Sequence, residues 1–171
     1  ADDDIIGRIN FIGEDSGGTD TTYGRIETVI MQEANGSEDA TMEFRIMKAG
    51  TERNILELDR GAVIINEDSQ DIDFRVESNG NTNMLFVDGG NDRVGVGTNA
   101  PDASLHILSA SAGSVSAVST EGLVVENSGN TSIHILAPDA SDSRILFGSP
   151  SDNVNGFIKS NYDGNYLHMA T

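Results

Sequence analysis

Apolar and polar residues alternate along much of this chain. Met42, Phe44 and Ile46 are separated by Glu43 and Arg45. Ile72, Phe74 and Val76 are separated by Asp73 and Arg75. Ile9 and Phe11 flank Asn10, and Ile133 and Ile135 flank His134. A period of two puts one side chain inward and the next outward, so these stretches predict half-buried strands. Shorter apolar runs lie at 26–31, 55–58, 63–65, 84–87, 123–125, 145–147 and 157–158. Turn-forming pairs and triplets separate them: Ser16-Gly17-Gly18, Asn35-Gly36, Asn79-Gly80, Gly89-Gly90, Ser128-Gly129-Asn130 and Asp163-Gly164. Strand centres recur about every 9 to 18 residues, which predicts an all-β chain. The best helical candidate, within 109–121, is weak, because that stretch is built of small polar residues.

Composition sharpens this picture. The chain of 171 residues is 37% apolar but only 5% aromatic, with no Trp. Aromatic side chains bury the most area per residue, so this is a thin supply of core for one closed globule. Net charge is −18. Such a surface repels nucleic acid and anionic membrane, so neither is expected as a partner. The absence of Cys excludes disulfides, thiolate metal sites and Cys nucleophiles. No apolar run reaches the roughly 18 residues of a membrane span.

Residues 109–121, rich in Ser and Ala, read as a linker between a β-rich unit at 1–108 and a second at 122–171. The second echoes the first. Gly61-Ala-Val-Ile-Ile-Asn66 matches Gly122-Leu-Val-Val-Glu-Asn127, and Arg8-Ile9-Asn10-Phe11 matches Arg144-Ile145-Leu146-Phe147. Leu105-His106-Ile107 is matched by Leu167-His168-Met169. Self-similarity of this kind predicts a repetitive object. The last strand-like run ends without punctuation, so the second unit is expected to continue in a longer parent chain.

The most distinctive stretch is Asn91–Leu108. Val94 and Val96 alternate with Gly95 and Gly97; Pro101 then breaks the strand, and Leu105, His106 and Ile107 begin another. It resembles a Val-Gly-Ile-Gly-Thr, Pro, Leu-His-Val segment that recurs in phage tail fibres. Asp2–Phe11, Tyr23–Ile26 and Thr41–Phe44 are similar to shaft units of the same fibres. The resemblance implies an elongated, short-strand fibre, an intertwined homotrimer of β-prism or triple β-helix type. It also implies a structural, non-enzymatic role on the virion surface, projecting a receptor-binding tip towards the host. Expected partners are further copies of the chain, other virion tail or fibre proteins and host-surface glycan. Val94, Val96, Leu105 and Ile107 would then line the axial core, and Gly95, Gly97 and Pro101 would set the turn.

Candidate chemistry is sparse. Gly89-Gly90-Asn91-Asp92-Arg93 is half of a calcium-binding nonapeptide, but it has one imperfect copy and a misplaced Arg, so a turn is expected. Asp2-Asp3-Asp4 reads as a solvated terminus. The histidines at 106, 134 and 168 are isolated, and zinc needs clustered ligands; if a symmetry axis gathered one of them, His106 would be the choice. No metal or cofactor is expected. Two alternatives remain: a glycan-binding module using Tyr162 and Tyr166, and a polysaccharide-cleaving tailspike using paired carboxylates.

Overall fold

The computed structural model describes residues 2–114, 122–161 and 166–170, and among them there are thirteen strands and no helix. The chain divides into two compact units, Ala1–Gly129 and Asn130–Thr171. The all-β expectation holds, in three open sheets.

The first sheet is an antiparallel meander of β1 (Ile5–Glu14), β2 (Asp20–Gln32), β3 (Asp39–Lys48), β4 (Thr51–Asp59) and β5 (Ala62–Ile65). Its connections follow from turn chemistry. Between β1 and β2, the Asp15 carboxylate accepts bonds from the Gly17 and Thr19 amides, at 2.8 and 2.9 Å. Those two bonds hold the carboxyl below its ordinary pKa.

Register sorts this sheet into two unlike faces, since directly opposed residues point the same way. One row crosses all five strands as Ile9, Ile26, Phe44, Leu56 and Ile65. Beside it run Thr28, Met42, Leu58 and Val63, and then Phe11, Gly24 and Ile46, a row that ends at Arg53 on β4. The opposite face carries Arg8, Glu27, Glu43 and Glu57 in one row and Asn10, Arg25 and Arg45 in the next.

Three carboxylates directly opposed across adjacent strands would repel one another. Arginine offsets this for two of them. Glu27, only 4% exposed, is gripped by Arg8 at 2.7 Å, Arg25 at 3.1 Å and Arg45 at 3.4 Å. Arg45 also reaches Glu43 at 2.5 Å, and Arg25 reaches Glu52 at 2.8 Å. Glu57 has the Asn54 amide at 2.6 Å instead, and desolvation followed by repulsion from Glu43 pushes its pKa up. The polar face is therefore largely self-satisfied, and the apolar face is the bare one.

The second sheet has the order β10-β9-β8-β7-β6, built from β6 (Phe74–Val76), β7 (Leu85–Asp88), β8 (Arg93–Val96), β9 (Leu105–Leu108) and β10 (Leu123–Glu126). The expected strand at 72–76 is shorter at its start: Ile72 lies in the preceding turn, its amide bonded to Gln70 O at 2.8 Å. The expected boundary also shifts. β10 pairs in parallel with β9, so 122–129 belongs with the first unit rather than opening the second. Residues 109–114 form no helix, and 115–121 lie outside the described residues.

The second unit holds the antiparallel sheet β11 (Asp142–Ser149), β12 (Asp152–Asn161) and β13 (Tyr166–Ala170). The alternation at 133–135 forms no strand; Ile133 and Ile135 are exposed. Alternation supplies a face, but a strand also needs a pairing partner, and this segment pairs with no strand among the described residues.

One sequence echo has a structural counterpart. Ile9 opposes Ile26 and Phe11 opposes Gly24 in the first unit; Ile145 opposes Ile158 and Phe147 opposes Gly156 in the second. In both pairs the Phe ring lies over the glycine, within 3.6–3.8 Å of where a side chain would begin. The other two echoes do not extend to topology: β5 is antiparallel to its neighbour and β10 parallel to its own, and β9 is parallel to its neighbours while β13 is antiparallel to β12.

Candidate functional site

The Asn91–Leu108 stretch forms a compact joint. β8 runs antiparallel to β7 and parallel to β9, which returns after only residues 97–104. Parallel neighbours usually need a longer crossover. Here backbone and side-chain bonds hold the short one. Val94 N donates to Ser104 O at 2.9 Å, Gly97 N donates to Asn83 O at 2.9 Å, and Arg93 Nη1 donates to Pro101 O at 2.7 Å. Thr98 Oγ1 accepts the Ala100 amide at 3.1 Å.

Both glycines are sterically required. Gly97 has a φ of 86°, and a Cβ there would overlap the Leu108 carbonyl oxygen. A Cβ on Gly95 would overlap the Thr98 carbonyl oxygen. Pro101 is buried at the turn.

The register then separates the motif's side chains. Phe74, Val87, Val94, Leu105 and Leu123 form one row across all five strands, and Val96, Ile107 and Val125 lie beside it. Phe86, Gly95 and His106 point to the other face, under the crossover. There Phe86, Ala103 and His106 are buried, at 7%, 3% and 3% exposure. Val94, Val96, Leu105 and Ile107 thus share a face on which they are half-buried and Val87 and Leu123 are exposed.

His106 is fully engaged. Its Nδ1 accepts the Asp102 amide at 3.3 Å, and its Nε2 lies 3.1 Å from Glu126 Oε2 on β10. Both nitrogens are occupied and the ring is turned away from the Val94 row. Glu126 Oε1 in turn accepts the Ala112 amide at 2.6 Å. The sequence pointed to His106 but not to Glu126, whose only signal is a carboxylate in an apolar strand.

The Ala112 bond, followed by contacts to Ser111 and His106, holds the Glu126 carboxyl below its ordinary pKa of 4.5. A depressed carboxyl stabilises the fold above the unfolded pKa, and that contribution is lost as pH falls through the folded one. Acidification below 4.5 is therefore expected to loosen the hold on β10. Amide exchange should show it as early loss of protection at Leu105 and Ser109, whose amides bond to Gly122 O and Glu126 O. Glu126→Gln should flatten that response.

The remaining candidates are turns or lie outside view. Asp88 accepts the Gly90 and Asn91 amides at 3.1 and 2.9 Å, so the half-nonapeptide is the β7–β8 turn. Among the described residues no three His, Asp or Glu gather as a metal site. Tyr162 lies outside the described residues, and Tyr166 is placed only by its backbone, opposite Asn161 at the start of β13. No family model, curated protein or solved structure matches this chain.

Proposed function

We propose that this chain is a structural, non-enzymatic segment of a viral tail fibre, a homotrimer that projects a receptor-binding tip towards the host. One observation carries the reading: in each unit the sheets present uncovered apolar rows. Ile9 is 59% exposed, Val63 70%, Leu123 51% and Met169 69%. Soluble monomers rarely expose contiguous apolar area on this scale. The buried polar contacts, by contrast, are spent on bracing: Glu27 among its arginines and His106 between Asp102 and Glu126. The resemblance of Val94–Ile107 to fibre segments supplies the kind of object, and the partners follow from it: further copies, other tail or fibre proteins, and host glycan reached at the tip.

Electron microscopy of the purified chain in negative stain tests this reading. Slender rods of constant width are expected; compact spherical particles would overturn it.

A further inference from the structure

We propose that the apolar face of β1–β5 is where copies of this chain meet, each Ile9–Ile26–Phe44–Leu56–Ile65 row packing against the same row of its neighbours. This rests on the fibre reading and adds which surface faces inward.

Three observations select a second copy as the occupant. The first is area. The chain exposes 11850 Å². Two separate compact units of these sizes would expose about 9,500 Å² in all. The excess over the whole chain, roughly 2,400 Å², exceeds the ~800 Å² that each partner gives to a standard interface, and exposed Ile9, Phe11, Ile46 and Val63 on this face contribute to it. The second is chemistry. The three rows on this face hold one charged side chain, Arg53 at the β4 end of the third row, which faces Asp68 at 4.0 Å, whereas the opposite face holds Arg8, Arg25, Arg45, Glu27, Glu43 and Glu57. Among the described residues of the first unit, no strand outside β1–β5 packs closely against this sheet. Chains that each carry −18 approach most readily by this carboxylate-free face, with the carboxylates turned outward. The same net charge opposes burial of this face in an anionic lipid surface. The third is recurrence. The second unit repeats the Ile–Ile pair and the Phe over Gly in the same register, as a chain that meets its own copies along its length requires.

The chain has no Cys, so single cysteines report cleanly. Met42→Cys and Val63→Cys lie on the proposed face, and Asn10→Cys lies on the polar one. With a short bismaleimide, the first two should link chains covalently at least ten-fold faster than Asn10→Cys. Molar mass is measured on each variant, and binding to phosphatidylcholine vesicles is measured in parallel. An oligomer in which neither Met42→Cys nor Val63→Cys links faster than Asn10→Cys overturns the face and leaves the fibre reading standing. A monomer in solution overturns both, as does a monomer taken up by the vesicles.

Discussion

Ile9→Asp should leave the chain folded but reduce it from oligomer to monomer. In a single chain Ile9 is 59% exposed, and a substitution at such a site costs within about 0.5 kcal/mol. In an assembly closed by the β1–β5 face the same carboxylate would be buried without a partner, at a cost of about 3–5 kcal/mol per chain. Symmetry would also bring its copies together, adding like-charge repulsion. Sedimentation velocity reads the difference in mass, and far-ultraviolet circular dichroism shows whether the strands persist. Asn10→Asp, one position along on the opposite face, is the matched control and should change neither.

Gly97→Ala is expected to be the most destabilising single-methyl change in the first unit. The new Cβ would meet the Leu108 carbonyl oxygen, backbone that cannot step aside without breaking the β8–β9 ladder, at a φ of 86°. Strain and lost pairing together should cost about 3 kcal/mol or more. Gly36→Ala has an almost identical φ of 87° but open space around it, so it isolates the dihedral contribution, about 1 kcal/mol. Thermal melts of the two variants separate them: Gly97→Ala should lower the transition several times further than Gly36→Ala. Equal shifts would mean that the crossover can relax.

Much of the first sheet was legible because its signal is local. The alternation through Met42, Phe44 and Ile46 is the alternation of β3, and the turn residues at 16–18 sit where β1 hands over to β2. What was hidden depends on partners distant in the chain. Glu27 reads as one acid among many until Arg8, Arg25 and Arg45 converge on it from three strands. β10 reads as the start of a new unit because nothing local says that it returns to β9. His106 was conspicuous in sequence, but its burial comes from the 97–104 crossover folding over one face, and the sequence does not show which face. The two glycines were recognisable as special, whereas the atoms that require them, the Thr98 and Leu108 carbonyls, appear only once the parallel return is known. At 133–135 the pattern was clear and the strand is absent, because alternation alone does not secure a pairing partner.

The apolar rows are the centre of this account, and the mass of the chain in solution tests it most directly. Light scattering coupled to size exclusion at neutral pH should give a single species near three times 18.1 kDa, about 54 kDa. A stable species of 18.1 kDa would mean that Ile9, Met42, Leu58 and Val63 face water in the native protein, and would contradict the account.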